Sequence, residues 1–273
     1  MMVLIIYIKK NKKIMSAFSY HTKVYLQSIV REINKLRWSL GGATHRVQII
    51  KNQWFTINHY GFIAKVLFSE QHLVGTNQAF ETKTLGRFAE LVKPNHTVLD
   101  IGANIGMFSM LGSRLVGAGG RVIAFEPSRP TFEALNKNLA ANSCTNVTTA
   151  QLALGDTEGV IFLGDVENDA MNFIDKNKKS GEEVPLRMLD NYLKDKGIAK
   201  VDFIKIDIEG AEMLCFKGAT EMLKNHRPTI IMECNETWCK RFGYSVFDLL
   251  QFLSQFDYRF ENYDESQWLC FPN

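Results

Sequence analysis

Short apolar segments alternate with segments of helical periodicity from residue 80 onward. Apolar runs of five to eight residues predict buried strands at Thr97–Ile101, Arg121–Phe125, Val147–Leu154, Val201–Ile206 and Thr229–Glu233. Apolar positions three and four apart predict helices over Phe80–Leu91, Ile105–Val116, Pro130–Asn142, Glu212–Lys224 and Val246–Gln255. This alternation predicts an α/β fold whose mostly parallel sheet is covered by helices on both faces. Two final strands, Tyr258–Tyr263 and Gln267–Phe271, are close enough to form an antiparallel hairpin.

The N-terminal region, 1–75, has a different pattern. Apolar residues spaced by three and four between Tyr25 and Leu36 predict an amphipathic helix. Trp54–Ile57 and Phe62–Phe68 then predict two strands joined around Tyr60 and Gly61. Farther along, the polar segment Gly164–Glu183 is expected to be a surface loop over the carboxyl ends of the strands.

Composition narrows the class of protein. The chain has 273 residues, of which 46% are hydrophobic and 22% charged, as in ordinary globular proteins. These values exclude a disordered chain, a collagen-like fibre and a coiled coil. Five scattered cysteines argue against a disulfide scaffold and predict a reducing, cytoplasmic location. No apolar run approaches the roughly 20 residues of a membrane span.

Charge is distributed unevenly along the chain. The segment 1–51 carries ten basic residues and one acidic residue, whereas the segment 52–273 carries more acidic than basic ones. An acidic body disfavours a nucleic-acid partner, because nucleic-acid binding depends on general positive charge. The apolar run Val3–Ile8 precedes four lysines, the reverse of the order in a secretory signal. Residues 1–14 therefore fit either a weak membrane-surface contact or an irregular N-terminus with Met15 as an alternative start.

Candidate chemistry begins at the end of the first predicted core strand, in the sequence VLDIGANIGMFS (98–109). Gly102 and Gly106 allow a ligand to approach the backbone closely, and Asp100 suits an ammonium group. Asn104 stands where a dinucleotide-binding fingerprint has its second glycine, so a pyrophosphate ligand is disfavoured. A tight strand-to-helix turn without a ligand is the alternative interpretation.

The next strands add two more acidic residues. Glu126 ends the second core strand about 20 residues beyond the glycine-rich turn, where an acid can accept both ribose hydroxyls. A ribose, an amino-acid group and no pyrophosphate together describe S-adenosylmethionine (SAM), whose sulfonium also suits an acidic pocket. Asp156 follows the third strand and is expected to lie on the adenine side. An isolated surface acid is the alternative for each residue.

The fourth core strand and its end, VDFIKIDIEGAE (201–212), are rich in charge. Four charged residues stand at the carboxyl end of a buried strand, where charges are costly unless they are paired or functional: Lys205, Asp207, Glu209 and Glu212. Open parallel sheets bind their ligands at this edge. We therefore expect Glu209 to act as base or to orient the acceptor, with Asp207 and Lys205 beside it. A purely structural ion pair of Lys205 is the alternative.

These motifs carry a family resemblance. VLDIGANIGMFS, VIAFEPSRPTFEALNKNL, LALGD, RMLDNYL and FIKIDIEGAE, in this order, resemble the FkbM family of SAM-dependent methyltransferases over about residues 76–260. The resemblance implies the Rossmann-like class I methyltransferase fold, with a seven-stranded sheet and a terminal hairpin, and an activity that is mostly O-methylation. It also implies two regions: a basic segment, amphipathic helix and β-hairpin cap over residues 1–75, and a methyltransferase domain over 76–273.

The resemblance also assigns roles to individual positions. Those that match the family's cofactor-binding positions are Glu81, Asp100, Gly102, Asn104, Gly106, Glu126 and Asp156. Asp207 and Glu209 match its D-x-E-G element. The expected substrate is a small molecule or glycan with a hydroxyl group, although N-methylation stays open. A non-catalytic SAM-binding module and, less well supported, a nicotinamide-dependent oxidoreductase are the other functions considered.

No bound metal is expected. His226 with Cys234 and Cys239 is a weak candidate for zinc, because Cys-x4-Cys lacks a second convincing pair. Asp207, Glu209 and Glu233 form a second candidate, since carboxylates suit Mg²⁺.

Overall fold

The computed structural model describes residues 53–59, 62–68, 82–163 and 181–273 of the chain. Within 53–68, side chains are described for Ala64 and Val66 only. The predicted helix between Tyr25 and Leu36, the candidate Glu81 and most of the expected loop at Gly164–Glu183 lie outside the described residues. The expected boundary between residues 75 and 76 also falls outside them.

The described elements follow one another in this order: β1 (Gln53–His59), β2 (Phe62–Phe68), α1 (Thr82–Leu91), β3 (Thr97–Ile101), α2 (Met107–Val116), β4 (Arg121–Phe125), α3 (Arg129–Ala141), β5 (Val147–Ala150), β6 (Ala153–Leu154), β7 (Gly159–Leu163), β8 (Glu182–Arg187), α4 (Leu189–Asp195), β9 (Phe203–Ile206), α5 (Glu212–Lys217), α6 (Thr220–Asn225), β10 (Thr229–Glu233), α7 (Glu236–Arg241), α8 (Val246–Ser254), β11 (Tyr258–Asp264) and β12 (Gln267–Pro272).

Seven strands form one sheet in the order β11-β12-β10-β9-β3-β4-β5. Neighbouring strands from β10 to β5 are parallel, and β12 pairs antiparallel with both β10 and β11. The predicted fold class, a mostly parallel seven-stranded sheet with an antiparallel C-terminal hairpin, is therefore confirmed.

The register brings the candidate residues to one edge of this sheet. Asp100 of β3 stands opposite Ala124 of β4 and Lys205 of β9. Side chains alternate between the two faces of a strand, so Asp100 and Lys205 point to the same face. Because β3, β4, β9 and β10 are parallel, the segments that follow them all lie at the same carboxyl edge.

Two predicted elements are interrupted. The strand expected over Val147–Leu154 was wrong in its length: the chain leaves the main sheet after Ala150, and β6 pairs with β8 in a separate three-stranded sheet, β6-β8-β7. The helix expected over Glu212–Lys224 is divided into α5 and α6 at Gly218, where an added Cβ would meet the carbonyl oxygen of Gly155 at 2.0 Å. A side chain at Gly218 would thus separate the small sheet from the helices.

The core fills both faces of the sheet. One cluster contains Phe125, Tyr192 and Phe216, and a second contains Phe88 and Leu135. Ala64 and Val66 of β2 are buried in the second cluster, so the N-terminal hairpin packs onto the main body through this strand. Across the described residues, none of the helices combines the length and apolarity that crossing a bilayer requires.

Candidate active site

The glycine-rich turn after β3 has a backbone that ordinary side chains would not tolerate. Gly102, Asn104 and Gly106 all have positive φ angles, of 77°, 51° and 94°. A Cβ on Gly102 would lie 1.9 Å from the carbonyl oxygen of Asp207. The turn after β3 and the turn after β9 are therefore in direct backbone contact, which only glycine permits.

A buried amide supports this turn from behind. Asn138 of α3 has no exposed surface, and its Nδ2 donates to the carbonyl oxygen of Ile105 at 2.8 Å. No sequence pattern singles out Asn138, because an asparagine inside an amphipathic helix usually faces solvent. Its complete burial identifies it as a support of the turn.

Asp100 lies fully buried beneath the same turn. Its Oδ2 accepts a hydrogen bond from Ser109 Oγ at 2.5 Å, while its buried Oδ1 has no hydrogen-bond partner. Burial raises the pKa of Asp100, and the nearby Lys205 ammonium opposes that rise. A buried carboxylate oxygen without a partner is costly, and a cationic ligand group would satisfy it.

Glu126, at the end of β4, is also buried but has partners on both oxygens. Oε2 accepts from the backbone N–H of Asn104 at 2.9 Å, and Oε1 from the N–H of Ser128 at 3.0 Å. Burial raises its pKa to about 7 despite these two bonds. The carboxyl thus fixes the glycine-rich turn, and each oxygen retains a second lone pair for another donor. Its predicted contact with a ribose stays a prediction.

Asp156 was expected to follow a strand of the main sheet, but that strand, β5, ends earlier in the chain, at Ala150. Asp156 follows β6, beside Gly155, whose N–H donates to the carbonyl oxygen of Arg187 in the small sheet. The residue directly after β5 is Gln151, and its Nε2 donates to Glu182 Oε1 at 3.2 Å. The adenine-side role of Asp156 stays a prediction, and Gln151 now stands closer to the end of β5.

Lys205 and Asp207 form a pair at the end of β9. Lys205 Nζ lies 3.5 Å from Asp207 Oδ2 and donates to the carbonyl oxygen of Gly102 at 3.3 Å. It also lies 5.0 Å from the centre of the Phe108 ring. The lysine therefore links the turn after β3 to the turn after β9. Its ammonium group pairs with Asp207, and its positive charge also acts on Asp100.

Glu209, like Asp100, has a buried carboxylate oxygen that lacks a hydrogen-bond partner. Its φ angle is 54°, a left-handed conformation that is uncommon for a residue with a side chain. The unpartnered oxygen of Glu209 is Oε2. Burial, together with the negative charges of neighbouring acids, raises its pKa to about 8. Near neutral pH this carboxyl therefore holds a proton unless a ligand or partner stabilises its charge.

Two further residues contact this turn. Glu212, which the sequence places among the charged residues of this edge without giving it a role, is only 1% exposed and accepts from the backbone N–H groups of Ile208 and Gly210, both at 3.0 Å. Tyr244, which sequence reasoning missed, donates to the carbonyl oxygen of Gly210 at 2.7 Å. No local signal points to Tyr244, because it lies far along the chain, after α7.

Neither metal candidate is assembled. His226 precedes β10, whereas Cys234 and Cys239 follow it, so the residues proposed for zinc lie toward opposite ends of that strand. Glu233, the third acid proposed for Mg²⁺, accepts hydrogen bonds from Ser266 and Gln267. In the described part of the chain, no group of three or more His, Cys, Asp or Glu side chains is arranged to hold a metal ion.

The sheet order defines a class, a Rossmann-like α/β protein, and the paired turns place its candidate ligand site at the carboxyl edge of the sheet. The family described as the methyltransferase FkbM domain matches residues 100–260, which is more than half of the chain. The chain belongs to this family, and its fold is the class I methyltransferase fold.

Individual relatives are more distant. The chain is 29% identical over 177 residues to methyltransferase sdnD of Sordaria araneosa, covering 53% of this chain and 67% of that protein. It is 26% identical over 162 residues to the 31-O-demethyl-FK506 methyltransferase FkbM of Streptomyces tacrolimicus, covering 48% and 62%. A crystal structure of methyltransferase FkbM from Methylobacillus flagellatus KT aligns with a TM-score of 0.46 and 19% identity, covering 75% of this chain and 56% of that one. The matches thus span between about half and two thirds of the lengths of these relatives.

Proposed function

We propose that this protein transfers a methyl group from SAM to a hydroxyl group of a small molecule. The observation that carries the proposal is the buried Asp100 Oδ1, which has no partner and lies under a turn with three positive-φ positions. A glycine-rich turn above an unsatisfied carboxylate suits a ligand that carries an ammonium group. Glu126, at the end of the neighbouring strand, supplies a second acid for ribose hydroxyls.

The residues present fit SAM. Asp100 would hold its ammonium group, Glu126 its ribose, and the backbone of the Gly102–Gly106 turn would line its amino-acid portion. When bound, SAM supplies a methyl group activated by a positively charged sulfur. Nicotinamide dinucleotides fit less well, because Asn104 replaces a glycine of their pyrophosphate fingerprint.

The turn after β9 supplies the groups for the acceptor. A hydroxyl loses its proton as the new bond forms, and a carboxyl whose pKa lies near the working pH is well suited to take that proton. Glu209 has an unpartnered oxygen and a pKa of about 8, so the fraction of Glu209 that is ionised near neutral pH can accept this proton. Lys205 holds Asp207 and offers a positive charge to an oxygen that becomes more negative.

The type of acceptor follows from charge and from the relatives. Six carboxyl groups cluster with Lys205 at this edge, which disfavours an anionic acceptor group: Asp100, Glu126, Asp207, Glu209, Glu212 and Glu233. The name of the Streptomyces tacrolimicus relative describes methylation of an O-demethyl compound. A neutral hydroxyl on a small molecule is therefore our first choice, and a hydroxyl of a glycan is the second.

The test is an untargeted search for the product. The full chain is incubated with methyl-labelled SAM and a cell extract, and labelled compounds are identified by mass spectrometry. We expect label on the oxygen of a small molecule with the wild-type protein, and far less with the Glu209→Gln variant. Binding of S-adenosylhomocysteine without any labelled product would instead favour a non-catalytic binding module. Label on nitrogen would contradict the proposed O-methylation.

A further inference from the structure

The carboxyl group of Glu212 folds back onto the turn that precedes it. Its Oε1 accepts from the N–H of Ile208 and its Oε2 from the N–H of Gly210, each at 3.0 Å. These two N–H groups belong to the residues on either side of Glu209. Because the Glu212 side chain is buried, both bonds are shielded from competing water.

Tyr244 contacts the same turn and the Glu212 carboxyl as well. Its hydroxyl donates to the carbonyl oxygen of Gly210 at 2.7 Å and lies 3.2 Å from Glu212 Oε2. The single hydroxyl hydrogen is shared between these two acceptor oxygens, and the shorter contact makes the carbonyl oxygen of Gly210 the main one. Tyr244 therefore contacts both the turn and the carboxyl group that supports it.

The turn needs such support because its backbone is unfavourable. A left-handed conformation at a residue other than glycine costs about 1–2 kcal/mol, and Glu209 adopts one with a φ of 54°. Gly210 follows with a φ of 102°, and a Cβ there would lie 2.5 Å from the carbonyl oxygen of Trp238. Backbone strain of this kind persists only where surrounding contacts impose it.

We propose that Glu212 and Tyr244 are positioning residues, which impose this conformation and thereby keep the Glu209 carboxyl at the acceptor side of the site. The inference depends on the proposed function in one respect only, namely that Glu209 faces the methyl acceptor. The clamp itself, defined here as Glu212 and Tyr244 with their bonds to residues 208–210, stands on the hydrogen bonds and dihedral angles alone.

The titration of Glu209 reports where its carboxyl lies. Burial is the largest cause of the raised pKa of Glu209. The negative charges of four acids raise this pKa further: Asp207 after β9, Glu233 of β10, Glu212 of α5 and Glu126 after β4. If the clamp is released, the side chain can reach water and move away from these charges. Its pKa must then fall toward the ordinary value of a glutamate.

The experiment compares two tyrosine variants by NMR of protein labelled with ¹³C at the glutamate carboxyl carbon. The Glu209→Gln variant assigns the signal of Glu209. Tyr244→Phe removes the clamp hydroxyl and leaves every carboxyl group of the site in place. Tyr258→Phe is the matched control, because the Tyr258 hydroxyl is also buried and donates to a backbone carbonyl, that of Pro228, at 2.9 Å.

We expect Tyr244→Phe to lower the pKa of Glu209 by at least about half a pH unit, and Tyr258→Phe to leave it unchanged although both variants lose similar stability. An unchanged Glu209 titration in Tyr244→Phe would overturn the proposal. If that variant does not fold, Glu212→Asp, which keeps the charge but shortens the side chain, must give the same fall, and an unchanged titration there is equally contradictory.

The proposed function is tested separately in the same samples. Binding of S-adenosylhomocysteine to the wild-type protein is measured alongside the titration. A protein that does not bind this compound contradicts the proposed function but leaves the pKa shift, and hence the clamp, intact. Normal binding of S-adenosylhomocysteine, together with an unchanged Glu209 pKa in Tyr244→Phe, contradicts the clamp and leaves the proposed function intact.

Discussion

The turns after β3 and after β9 share a similar backbone structure but present different groups to the site. The first contains three positive-φ positions and the second contains two, and in each a buried carboxyl accepts at least one hydrogen bond from the backbone of the turn. Glu126 performs this task for the first turn from the neighbouring strand, and Glu212 performs it for the second from the helix that follows. A buried carboxyl is thus a structural part of both turns.

The difference lies in what each turn presents. The first carries glycines at its positive-φ positions 102 and 106, so its backbone is open to a ligand. The second places Glu209, with a buried unpartnered oxygen, at the corresponding strained position. Backbone strain can therefore serve either to expose a backbone or to aim a side chain.

The contact between the two turns is the most sensitive point. Gly102→Ala would place a Cβ 1.9 Å from the carbonyl oxygen of Asp207, so both turns must shift. We expect a loss of more than about 3 kcal/mol of unfolding free energy, or no folded protein. Gly197→Ala is the control, because Gly197 also has a positive φ, of 62°, but no atom lies within 4 Å of its added Cβ. Equal losses of about 1 kcal/mol in both variants, measured by urea unfolding, would show that the turns are not in tight contact.

Removing the carboxyl group presented by the second turn should affect the chemical step and leave the cofactor affinity unchanged. We expect Glu209→Gln to reduce turnover by about 10²–10⁴-fold, the usual range for a general base. Affinity for S-adenosylhomocysteine should stay within about threefold, since the first turn is unchanged. Turnover near that of wild type, measured once an acceptor is known, would exclude Glu209 as the base.

Removing the acid that supports the first turn should have the opposite effect. Glu126→Ala loses the bonds to Asn104 and Ser128 and the expected bonds to the ribose. We expect calorimetry to show about 30- to 1,000-fold weaker binding of S-adenosylhomocysteine, or about 2–4 kcal/mol. An unchanged affinity would mean that Glu126 serves the fold alone.

The buried acids also predict how stability varies with pH. Burial raises the native pKa of Glu126 to about 7, so the folded protein binds a proton that the unfolded chain has already released at that pH. Its contribution to stability is therefore complete at acidic pH and decreases by about 2 kcal/mol between pH 5 and 7. Glu126→Gln should flatten this decrease in urea unfolding of the ligand-free protein. An unfolding free energy that rises over this range in wild type, with no effect of the substitution, would contradict the assigned burial.

The sequence predicted what depends on local patterns. The bounds of β3, β4 and β10 are those expected, because each is a continuous apolar run that ends at a charged residue or a glycine-rich turn. Asp100 and Lys205 were expected near the carboxyl ends of parallel strands, and the observed register of β3 with β9 sets them opposite each other.

What the sequence did not reveal depends on distant contacts. The chain leaves the main sheet at Gln151 because β6 pairs with β8, a strand far along the chain, and no local pattern encodes that partner. The break between α5 and α6 arises where Gly218 packs on Gly155. Tyr244 reaches back from beyond α7 to Gly210, so its role could be found only from the folded structure.

The most direct test of the account is calorimetric titration of the full chain with S-adenosylhomocysteine and, separately, with NAD. The two turns, Asp100 with its unpartnered oxygen and Glu126 together predict micromolar binding of S-adenosylhomocysteine and no measurable binding of NAD. Binding of NAD with no response to S-adenosylhomocysteine would contradict the account at its centre.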